Sequence, residues 1–194
     1  MASGPIFQRM LRAAKLESQL YEEVEADSGA TGQALLVVVL VSICTGIDHG
    51  IAALMHGTES LLPFILSLVT GIIGSLIAWF IFALLTFWLG TSIFKGPNTK
   101  SSLNEMLRTL GFAYSPGVLN ILSFIPFIGS AIPFFTFIWT IIAAVIAVRQ
   151  ACDFTTGRAI GTVAVAAIVY FIFLIVIAMI IGGAIAAVLY PTMK

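Results

Sequence analysis

At 194 residues, with 60% apolar and only 9% charged side chains and a mean hydropathy of +1.11, the chain cannot cover one compact core with a water-facing surface. A soluble domain carries about a quarter charged residues, so this composition belongs in a bilayer. Nine Lys and Arg balance nine Asp and Glu, and with no net field to attract nucleic acid or an acidic substrate, neither is expected as a partner.

Residues 1–33 hold eight of the eighteen charged side chains and form a cytoplasmic, amphipathic and acidic lead-in. No basic start runs into an apolar stretch with a small-residue cleavage site, so no cleaved leader is expected. From Pro5, a favourable first helical residue, Ile6, Phe7, Met10, Leu11 and Ala14 recur at helical spacing, with Arg9, Arg12 and Lys15 between them. Such a helix either packs on the protein or lies on an anionic leaflet. The stretch Ser18 to Asp27, with Glu22, Glu23, Glu25 and Asp27, reads as a solvated face, and Ser28, Gly29 and Thr31 offer a cap for the next helix.

Residues 34–189 read as the transmembrane domain, an all-α helical bundle of five membrane segments at about 34–54, 61–94, 111–128, 131–148 and 159–189, with a short tail at 190–194. The 34 uncharged residues of the second segment make about 51 Å of helix at ~1.5 Å per residue, more than one crossing needs. Pro63, Gly71 and Gly74 therefore suggest an interfacial piece leading into a span from about Gly71 to Thr91, with one long tilted helix as the alternative. Between Lys95 and the third segment, Ser102 and Glu105 have capping-box spacing, and Leu103, Met106, Leu107 and Leu110 occupy i, i+3, i+4 and i+7. This predicts a second amphipathic helix on the surface, ending at Gly111. The third segment, broken by Pro116 and Pro126, is barely long enough to span; it crosses, or it dips in and returns. With five crossings, eight of the nine Lys and Arg share one side and Lys194 stands opposite, so the N-terminus is expected in the cytoplasm and the C-terminus outside.

Chemistry is sparse. Cys44 and Cys152 cannot build a disulfide framework and read as free thiols. Asp48, His49, His56 and Glu59 gather near the outer end of the first segment, where they are either a metal or proton site or polar residues at the membrane edge. No phosphate-cradling loop or dinucleotide fingerprint occurs, and no cofactor, resident metal or enzymatic activity is expected. Small-residue pairs such as Gly71 with Ser75 and Ala178 with Gly182 allow close helix packing, within one bundle or between copies. Trp79, Trp88 and Trp139 read as packing residues or interfacial anchors. Asn120 and Thr136 are mild polar residues in the middle segments that read as making hydrogen bonds between helices.

One region carries a resemblance. Leu107 to Gly111 form a Leu-Arg-x-Leu-Gly core that leads into Phe112, Ala113, Tyr114, Ser115 and Pro116, then Leu119, Leu122, Ile125, Pro126 and Gly129, then a span with Trp139. This is similar to the Gly-Tyr-Ala-x-x-Pro region of the Yip membrane proteins, with Phe112 at the usual Tyr, and it extends over about Ala34 to Leu189. The acidic run Tyr21 to Asp27 followed by Gly32, Gln33 and Ala34 resembles the lead-in of the prokaryotic branch. The resemblance implies five membrane segments and a cytoplasmic N-terminus, and for eukaryotic members roles in vesicle traffic and recruitment of prenylated small GTPases. The chain is thus expected to be a non-enzymatic organiser or adaptor in the cell membrane. It would meet lipids, an unidentified membrane or cytoplasmic protein, or a second copy, through Arg9, Arg12, Leu103, Met106 and Leu107. The rival reading is a small channel, transporter or lipid-moving protein, with Pro116 to Pro126 lining the path.

Overall fold

The structure, a computed structural model, describes residues 4–55 and 61–189. Among these, helices α1 (Ile6–Ala14) and α2 (Ser18–Ala26) form a cap over the longer elements α3 (Ala30–Met55), α4 (Leu61–Ser92), α5 (Leu103–Ala113), α6 (Ile132–Ala151) and α7 (Thr156–Leu189). Four helices are long and apolar enough to cross a membrane, over Ala30–Ile47, Phe64–Ser92, Gly129–Ala151 and Thr156–Ile180. The expected third segment, 111–128, is not among them.

That segment divides in three. Its first residues finish α5, Ser115–Leu122 form a 3-10 turn opened by Pro116, and residues 123–128 bend through Pro126 to a second short turn at Gly129–Ala131. Proline removes a backbone donor and fixes φ, so tighter i to i+3 bonds replace the α-helical pattern, as from Gly117 N to the Tyr114 carbonyl at 2.8 Å. The stretch runs along α3, with Gly111 on Ala34, Gly117 on Val41 and Asn120 reaching Thr45. Non-helical backbone at such depth survives only against protein or a cavity, and this piece packs between α3 and α6. Gly129 closes the bend, since a Cβ there would strike the Ser123 carbonyl. Phe124, Phe127 and Ile128 point outward from its tip.

The expected break in the second segment does not occur, because α4 is one helix of 32 residues. Pro63 falls in the first turn, where a backbone N–H has no intrahelical acceptor in any case, and at ~1.5 Å per residue the helix is about 48 Å long. It is longer than the roughly 30 Å hydrocarbon core and is not broken. The second amphipathic helix is also placed differently. Ser102 and Glu105 do form the capping box, with Ser102 N donating to Glu105 Oε2 at 2.8 Å. Yet α5 lies under α2 instead of on the surface, and it continues past Gly111 to Ala113. Gly111 serves helix packing: a Cβ there would press on Ala34, so only glycine lets α5 sit directly on α3.

Two turns use left-handed residues that are not glycine. Leu16 (φ 62°) ends α1 with Glu17 N bonded to the Arg12 carbonyl, and Asp153 (φ 52°) ends α6 with Phe154 N bonded to the Arg149 carbonyl. Both are Schellman closures. The first folds α2 back against α1, and the second returns the chain into α7.

Candidate functional site

The charged cap is held by its own side chains. Arg9, 7% exposed, donates to Asp27 at 2.8 Å and to Gln33 at 3.0 Å. Arg12 grips Glu23 through two bonds of 2.7 and 2.9 Å and Glu17 through a third of 2.8 Å. Both arginines are engaged by carboxylates of the same chain, Arg9 almost buried and Arg12 at the surface with 31% of its side chain exposed. Both neighbours gain from this: Arg9 holds the Asp27 carboxyl below its ordinary range, and Arg12 does the same for Glu23. What α1 presents outward is apolar, with Phe7 73% and Leu11 49% exposed. At its end the Trp139 indole donates to the Ala14 carbonyl at 2.8 Å, which ties α1 to α6.

The cap meets the membrane helices at Arg108, a buried residue of α5. Its Nε donates to the Val24 carbonyl at 3.0 Å and its guanidinium also bonds the Glu25 carbonyl. These lie in the last turn of α2, where orphan carbonyls and the negative end of the helix dipole favour a cation. Leu20, Tyr21 and Val24 of α2 are fully buried in the same cluster as Met106, Leu107 and Leu110. Met106 and Leu107 are therefore core, and Leu103 packs partly buried against that core. Trp79 of α4 donates to the Leu107 carbonyl at 3.2 Å. Sequence reading missed the Arg108 clamp; a cation in the middle of an otherwise apolar helix face is the signal that could have found it.

Acidic groups crowd the same junction. Burial pushes Glu25 up to about 7, helped by Glu105 and Asp153 and opposed by Arg108. Gln150 at the end of α6 donates to Glu22 at 2.5 Å. Cys44 and Cys152 are free and buried, and burial raises the Cys152 thiol to about 11. The motif residues Leu110, Gly111, Phe112, Ala113 and Pro116 are all buried, with Tyr114 half-buried below them. Pro126 is exposed at the apolar bend and Gly129 is buried within it.

Deeper in the bundle, polar side chains converge. Thr136 Oγ1 donates to Asn120 Oδ1 at 2.6 Å, and Asn120 Nδ2 donates to Thr45 Oγ1 at 3.4 Å. This chain joins α6, the 3-10 turn and α3 beside a cavity of about 390 Å³ that Ser42, Ser75 and Thr140 also line. Asn120 and Thr136 do bond between elements, and it is to each other; neither that pairing nor the wider group was foreseen, although four-residue spacing of Ser67, Gly71 and Ser75 and of Thr136 and Thr140 marks it in the sequence. An apolar groove of about 470 Å³ adjoins it, between α4, α5, α6 and α7, and the two share Tyr114, Phe137 and Thr140 as a wall. Among the described residues no group of three His, Cys, Asp or Glu could hold a metal ion. The side chains of Asp48 and His49, and the whole of His56 and Glu59, lie outside the described residues.

Compared with known families, residues 17–190 match the model of the Yip1 domain, a stretch that takes in α2 together with the membrane helices. No curated protein and no solved structure matches the chain.

Proposed function

Because the chain belongs to the Yip1 domain family, we propose that it is a non-enzymatic organiser or adaptor of the membrane it spans, of the prokaryotic type, working through its capped face. The multi-pass membrane character rests on four apolar helices. The observation that carries the adaptor reading is α1: its two arginines are paired to carboxylates of the same chain while Phe7 and Leu11 stand exposed beside the membrane helices. An apolar face held rigidly at the end of a bundle fits a lipid headgroup layer or the groove of another membrane protein. Counting the 3-10 passage beside α3 as a fifth crossing, the cap and its cations lie in the cytoplasm and the C-terminus outside the cell membrane. The exposed outer faces of α4 and α7 leave room for a second copy.

Photoreactive residues placed at positions 7 and 11 in cells test this. The adaptor reading expects discrete protein adducts from these sites and only intrachain adducts from position 106. Adducts to lipid alone at 7 and 11 would sink the partner and leave α1 as a membrane anchor.

A further inference from the structure

From the polar cavity and the groove beside it, we infer a binding site for a neutral lipid whose head carries hydroxyl donors and no charge, seated with its head in the cavity and one chain in the groove. The inference does not depend on the adaptor reading.

The chemistry of the cavity selects the head. Ser42 donates to the Val38 carbonyl at 2.7 Å, Thr45 donates to the Val41 carbonyl at 3.1 Å and accepts from Asn120 Nδ2, and Thr136 donates to Asn120 Oδ1 at 2.6 Å. With their protons engaged in this way, these hydroxyls turn lone pairs toward the open space. Ser75, Thr140 and Tyr114 on the same walls carry hydroxyls that both donate and accept, so the lining suits a head bearing hydroxyls of its own. No charged residue lines the cavity or the groove, so an anionic head would be desolvated without a counterion.

The order of the two spaces selects the orientation. On α4 the polar wall comes at Ser67 to Ser75 and the apolar wall at Ala78 to Phe82; on α6 the sequence is Pro133 to Thr140, then Ile141 to Val145. The polar cavity therefore lies midway along α3 and on the half of α4 away from the cap, and the groove runs from it toward the cap. Entry is lateral, because α4 packs on α3, α5 and α7 and α6 packs on α5 and α7, while α4 and α6 share no extended contact.

The test uses the full chain in nanodiscs and a diacylglycerol carrying a photoreactive group midway along one chain. Adducts are expected on residues 137–145 and 163–171, displaced by unlabelled diacylglycerol and not by phosphatidic acid with the same chains. Thr140→Val removes one hydrogen bond and should weaken displacement by roughly 2- to 12-fold. Ser75→Leu fills the cavity and should reduce labelling to background, with an unchanged thermal unfolding curve showing that the bundle is intact. Labelling that neither lipid displaces, or that phosphatidic acid displaces equally well, would overturn the inference from the wild-type protein alone.

Discussion

Helices α1 and α5 have the same kind of sequence, a short amphipathic run with arginine beside an apolar stripe, yet they have opposite fates. The apolar stripe of α5 is covered from both sides, by α2 above and by α3 and α4 below, and its arginine points up into the end of α2. In α1, Met10 and Ala13 turn inward while Phe7 and Leu11 remain outside. Amphipathic spacing shows that a helix has an apolar side; what covers that side depends on segments far away in the chain. Here α2 decides it, by bringing Leu20, Tyr21 and Val24 onto α5.

The contrast can be broken most forcefully at Gly111. Gly111→Val places a branched side chain against Ala34 and should cost about 3 kcal/mol or more, seen as loss of monodisperse protein and a lowered unfolding temperature. Arg108→Met comes next. It leaves the last carbonyls of α2 without their cation, and a loss of about 2 to 3 kcal/mol is expected, with trypsin cutting after Arg12 and Lys15 much faster than in the parent. The membrane helices should remain protected, since the clamp holds the cap and not the bundle.

Acidity should act on the same junction with a smaller effect. Glu25 sits near 7 when folded, against about 4.3 for a free glutamate, so the folded cap favours its protonated form. That contribution is complete below about pH 4 and is lost as pH rises through 7. Asp27 and Glu23, held low by Arg9 and Arg12, act in the opposite sense and lose their contribution as the solution becomes acid. Protection factors in α2, which remove the intrinsic pH dependence of exchange, should therefore fall between pH 5 and 8, and Glu25→Gln should flatten that fall. The smallest change in stability is expected for Phe7→Ser with Leu11→Ser, within about 0.5 kcal/mol of the parent. The same pair in α5, Met106→Ser with Leu107→Ser, should unfold the cap. Equal behaviour of the two pairs in a thermal melt would show that the distinction drawn between the helices is wrong.

Much of this architecture is legible in the sequence because it is local. The capping box at Ser102 and Glu105 and the apolar runs each arise from residue type and spacing. What escapes is set by tertiary approach. Gly111 looks like a helix stop, and only the arrival of Ala34 shows it to be a contact. Pro63 looks like a break until its place in the first turn is known. Leu16 and Asp153 adopt a conformation usually left to glycine, so their turns carry no glycine signal. The polar cavity draws on four separate elements, each contributing one or two small polar residues too ordinary to be noticed alone.

The clamp at Arg108 also has a consequence in time. It joins residues 84 positions apart, so at roughly 5 to 20 residues per second the ribosome delivers α2 about 4 to 17 seconds before the arginine that fixes it. During that interval Leu20, Tyr21 and Val24 have no α5 to cover them, and α3 and α4 enter the bilayer with the lead-in still unlatched. The cap is first made and last closed, and its closure reports that synthesis has passed α5.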